Sequence, residues 1–146
     1  MSKVSIKGVV VGGIVDIFTS FVLGIPLVIY AVSRVDLSHT PKDQIKSVVA
    51  ASLHGNVSLY TIQLIVGLAC SALGGYVAAW LAKHHEVLNG GLSSFLCVAI
   101  GIYSISAGKD SHSLFVQVLL IVASPMFASI GGYVMWMQRQ HRLQPA

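Results

Sequence analysis

Asp16 stands alone as an acid inside the run from Gly8 to Ala31, whose other members are apolar or small. A carboxylate in hydrocarbon costs roughly 2.5 kcal/mol or more, so it must face neighbouring helices and find donors there. Counting from the segment ends puts Tyr76, Ser93, Ser94 and Tyr133 at a similar depth. Asp16, Tyr76, Ser94 and Tyr133 are therefore the expected intramembrane polar site. Such a group can hold an ion or a proton, or touch a substrate. The plainer alternative is an interhelical hydrogen bond that fixes packing, worth about 1 kcal/mol. Gln63 and Gln117 lie near the other ends of their segments and read as interface glue.

Other reactive types are scattered. His84, His85 and Glu86 adjoin, but neighbouring side chains diverge on a helix and no cysteine joins them, so no metal is expected. His39, His54, His112 and His141 read as surface residues. Cys70 and Cys97 fall near the middle of their segments and read as small apolar thiols. No phosphate loop, zinc-protease helix motif, nucleophile elbow or dinucleotide fingerprint is present, so no cofactor is expected. Catalysis usually needs two or more convergent polar groups, which only the Asp16 neighbourhood could supply. The chain reads as non-enzymatic.

The elements that must position Asp16 follow from composition. Of 146 residues, 55% are hydrophobic and only 10% charged, against about one-quarter charged in soluble domains. The mean hydropathy is +0.79. Disorder and a water-soluble globule are both excluded. Four apolar stretches, about 8–31, 59–82, 88–105 and 114–137, have the length a helix needs to cross about 30 Å of hydrocarbon. Backbone groups in lipid must pair within the segment, which also favours helix. The fold class expected is an all-α membrane protein with four transmembrane helices in a tight bundle, forming a single domain over 1–146.

Pro26 and Pro125 fall inside the first and fourth spans and are expected to kink them. Lys3 and Lys7 before an apolar run, with Ala31-Val32-Ser33 after it, loosely fit a signal peptide. The run is too long for one and carries Asp16, so a retained helix is the preferred reading. In the long first connection, Thr40-Pro41-Lys42-Asp43 has the form of a helix start. Ile45, Val48, Val49 and Leu53 then share a face, predicting a short amphipathic helix over 41–54 at the membrane surface or over the bundle.

With the N-terminus inside, Lys3, Lys7, Lys83, Arg139 and Arg142 lie inside, and Arg34, Lys42, Lys46 and Lys109 outside. The bias favours cytoplasmic N- and C-termini. It also accounts for the net charge of +4 without a nucleic-acid partner. Trp80, Trp136, Tyr30, Tyr60 and Tyr103 fit an aromatic belt.

An internal repeat relates the two halves. Leu73-Gly74-Gly75-Tyr76-Val77 matches Ile130-Gly131-Gly132-Tyr133-Val134, and Gly12-Gly13-Ile14 matches Gly90-Gly91-Leu92. The pattern is that of a two-helix hairpin duplicated in tandem. The pairs Gly12, Gly13, Gly74, Gly75, Gly90, Gly91, Gly131 and Gly132 use eight of the 14 glycines. Small residues spaced four apart extend these pairs into ridges that let helix backbones approach closely, so the eight are expected to be packing positions.

The segment Gly74-Gly75-Tyr76-Val77-Ala78-Ala79-Trp80-Leu81-Ala82-Lys83, followed by Glu86 and Gly90, resembles a pattern in small four-helix bacterial inner-membrane proteins of uncharacterised activity. The resemblance spans about twenty residues of the 146 and implies a bacterial inner-membrane location. It implies no activity. The expected partners are the lipid bilayer and either a second copy or a larger membrane complex. The function expected first is a structural or assembly partner. The alternative is a small ion- or proton-coupled transporter or channel using Asp16.

Overall fold

Long apolar runs with capping residues at their starts give helices, and the computed structural model describes residues 4–35, 40–106 and 114–143. Among these, all regular structure is helical: α1 (Ile6–Ser33), α2 (Ile45–Gly55), α3 (Val57–Ala82), α4 (Glu86–Ser93), α5 (Phe95–Ser106) and α6 (Leu114–Leu143). Ser5 caps α1 by accepting from the Gly8 N–H at 3.2 Å. Asn56 caps α3, its Oδ1 accepting from Ser58 N and Leu59 N at 3.1 and 3.3 Å. Four helical stretches are long and apolar enough to cross a membrane: Ile6–Ser33, Val57–Ala82, Glu86–Tyr103 and Val116–Arg142. Both α1 and α6 continue through their prolines. Lys3, Asp36, His39, Lys109, Asp110 and His112 lie outside the described residues.

Three boundaries differ from expectation. The third span is two helices, with Ser94 between α4 and α5. Ser93 Oγ donates to Gly90 O at 2.6 Å and Ser94 Oγ to Gly91 O at 2.8 Å. Serine hydroxyls that bond back to helix carbonyls bend helices, and a serine pair after a glycine pair compounds this. The helix in the first connection begins at Ile45 rather than at Pro41, with Gln44 instead of Thr40 at its cap. Residues 41–44 form their own turn, closed by Gln44 N–H to Pro41 O at 2.9 Å. The last helix runs to Leu143, beyond the expected 137. Its extra turn carries Arg139, which pairs with Glu86 at the start of α4.

The packing uses the expected glycines. A Cβ on Gly12 would lie 2.6 Å from the Gly74 carbonyl oxygen, and one on Gly74 would lie 2.7 Å from the Gly12 carbonyl oxygen, so α1 and α3 touch backbone to backbone. Gly13 faces the Ser93 carbonyl at the α1–α4 contact. Gly75 is pressed against Ala128 and Gly131 against Ala72, which joins α3 to α6. Gly90 meets Ala128 and Gly132, and Gly132 in turn meets Glu86 and Val87, joining α4 to α6. Gly91 is set against the Ser129 side chain. Such contacts supply van der Waals attraction where lipid offers no hydrophobic drive.

These seams lie toward one end. There Asn89, fully buried, accepts from Ser5 N at 2.7 Å and donates to His84 O and His85 O at 2.9 and 3.0 Å. The start of α1, the α3–α4 turn and the end of α6 are therefore gathered together. At the other end α2 packs Val49 and Leu53 on Ala31, with Ile45 and Leu59 alongside.

Candidate functional site

Asp16 is 2% exposed, three turns into α1. Its Oδ2 accepts from Ser71 Oγ of α3 at 3.0 Å and from Cys97 Sγ of α5 at 3.2 Å. Ser71 Oγ also lies 3.1 Å from Ser124 Oγ of α6. A hydrogen-bonded line thus crosses α1, α3 and α6, with a branch to α5. Its position follows from the seams: Gly12 on the same face of α1, four residues before Asp16, draws α3 close enough for Ser71 to reach the carboxylate. The Asp16 Cβ would lie 2.8 Å from a Cβ on Gly74, so only glycine fits opposite it.

Beyond Asp16 the packing loosens. A cavity of about 290 Å³ runs along the interior from Asp16 toward the end where α3 and α6 begin. Its polar lining is Asp16, Ser20, Gln63, Ser71, Gln117 and Ser124, drawn from α1, α3 and α6; Cys97 and Gly101 of α5 and apolar side chains complete the wall. Gln63 Oε1 is buried and takes no hydrogen bond among the described residues. Gln117 is 8% exposed. Buried amide oxygens are usually satisfied, so an unmatched one facing a cavity marks a place for water or solute.

The expected site is only partly assembled. Tyr76 does not reach Asp16; its hydroxyl donates to Gln138 Oε1 at 2.8 Å. Two residues past Gly74, it sits about 200° round the helix, at the right depth on the wrong face. Tyr133 is 48% exposed and stacks on Trp136 with ring centroids 5.5 Å apart. Ser94 is buried, but its hydroxyl donates to Gly91 O at the helix break. Ser93 likewise bonds its own helix, at Gly90 O.

Sequence reasoning missed Ser71 and Cys97 as the partners of Asp16 and Ser124 as the next link beyond Ser71, and placed the two glutamines outside the site they line. The signal available was Ser71 and Ser124 on the small-residue ridges. Both thiols are free, and Cys97 serves as a donor rather than as an inert apolar group. Asn89, which no motif singles out, is a buried clamp. His84 Nδ1 contacts Ala82 O within the α3–α4 turn. Among the described residues no three His, Cys, Asp or Glu side chains gather to hold a metal.

A scan against protein-family models, a search of curated proteins and a search of solved structures find no match.

Proposed function

We propose that this chain is a small multi-pass membrane protein that binds small cationic solutes at Asp16 and passes them through its interior. One observation carries the reading: a polar cavity of about 290 Å³ ends on a buried carboxylate within an otherwise apolar helix assembly. A purely structural core closes such space, because packed interiors leave few voids larger than water. Both donors to Asp16 fall on Oδ2, leaving Oδ1 for a solute. The amides of Gln63 and Gln117 and the hydroxyl of Ser20 supply further oxygen ligands along the path. Volume and ligand type favour a monovalent cation or a small protonated amine over a bulky substrate.

The assembly-partner reading draws less support. All eight paired glycines are occupied by contacts within the chain. The finer architecture belongs to the same proposal. The helices form a four-helix bundle in a bacterial inner membrane with both termini cytoplasmic, α2 lies amphipathically at the outer surface, and the chain is non-enzymatic. The tandem hairpin origin rests on the sequence match: both hairpins pack glycine on glycine, but Gly12 meets Gly74 whereas Gly90 meets Gly132 rather than Gly131, the counterpart of Gly74.

Purified protein in sealed liposomes, offered sodium, potassium, methylammonium and guanidinium ions, tests the function. Uptake of at least one above empty vesicles is expected, with Asp16→Asn lowering it about tenfold or more while the protein still elutes as a folded species. Wild-type uptake equal to that of empty vesicles, or unchanged uptake by Asp16→Asn, would overturn the reading.

A further inference from the structure

We propose that the groove between the ends of α3 and α6 is a binding site for the headgroup of an anionic phospholipid. The groove encloses about 830 Å³ and carries three cations, Lys83, Arg139 and Arg142, with no acid in its lining. Arg139 is held by Glu86. Lys83 and Arg142 have no carboxylate partner among the described residues, and both are exposed. Two exposed cations at one pocket, neither of them ion-paired among the described residues, are matched by a phosphate with its charge of about −1.

The walls say which phosphate. Trp80 and Leu81 of α3 and Met135 of α6 make part of the lining apolar, and Trp80 is 58% exposed. A free phosphate in water would gain nothing from such a wall. A phospholipid gains on both counts, its headgroup against the cations and its upper acyl chains against the indole and the aliphatic side chains. The level is also right, because Lys83 directly follows the last residue of an apolar span, Ala82.

The backbone holds the cations in place. Lys83 has φ 58°, the left-handed conformation that ends α3, and its N–H bonds Ala79 O. Tyr76 and Gln138 close the floor through their hydrogen bond, which ties α3 to α6. The proposal does not depend on transport at Asp16, which lies in a separate cavity.

Native mass spectrometry of the detergent-solubilised full chain, titrated with phosphatidylglycerol and phosphatidylcholine of matched acyl chains, tests it. Phosphatidylglycerol is expected to bind about 25-fold more tightly, at an electrostatic contribution of roughly fivefold for each of the two free cations. Arg142→Gln is expected to lose part of the preference, and Lys83→Gln/Arg142→Gln to bring it within about twofold. Lys7→Gln, an exposed cation outside the groove, is expected to leave it unchanged. Helicity and elution volume of each variant report whether it is folded. Equal binding of the two lipids to wild type, an undiminished preference in the folded double variant, or loss of the preference in excess inorganic phosphate would each overturn the assignment.

Discussion

Single residues divide into those pressed against backbone and those facing space, and substitutions read that division directly. A Cβ on Gly131 would overlap the Ala72 carbonyl, and backbone cannot yield as a side chain does. Gly131→Ala is expected to destabilise the protein by about 2 kcal/mol or more in a reversible detergent unfolding assay. Gly24→Ala meets nothing within 4 Å and is expected to be neutral or to stabilise by up to about 1 kcal/mol through helix propensity. Equal effects of the two would contradict the seams. At this scale Asp16 was legible from sequence alone, since an acid in an apolar run has few tolerable places. Its partners were not. Counting residues from a helix end gives depth but not azimuth, so Tyr76 and Tyr133 were matched to Asp16 by height while Ser71 and Ser124, on the inward face, were passed over.

Elements show a second asymmetry, between legible spans and illegible breaks. The apolar runs located the four membrane-length stretches to within a few residues, except at the C-terminal end of α6, because hydrophobic length leaves little freedom. The break at Ser94 had no such signal, since a serine pair in a helix is as compatible with an outward face as with a bend. The α3–α4 turn was equally hidden. It holds two non-glycine residues at positive φ, Lys83 at 58° and His85 at 47°, and Asn89 clamps it. Removing that clamp in Asn89→Ala leaves Ser5 N and His84 O without their partner, while His85 O keeps the backbone N–H of residue 89. A loss of about 2 kcal/mol or more is expected in the same unfolding assay, with faster amide exchange at residues 83–89. His85→Gly, which relieves a left-handed position, is expected to gain roughly 0.5–1 kcal/mol.

The whole molecule joins a tight end to a loose one. On one side of Asp16 the glycine seams bring α1, α3, α4 and α6 into backbone contact; on the other a polar cavity continues to Gln63 and Gln117. In this arrangement the cavity beside Asp16 leads toward one membrane face, and passage to the other face requires the glycine seams to part. The most direct measurement places a cysteine at Gly67, which lines the cavity and has open space where its side chain would go. In a Cys70→Ala/Cys97→Ser background reconstituted in sealed vesicles, a membrane-impermeant cationic thiol reagent should label Gly67→Cys from one side. It should leave Gly24→Cys, which lies outside the cavity lining, unlabelled from either side. No labelling at position 67, or labelling from both faces, would contradict a one-sided interior cavity leading to Asp16.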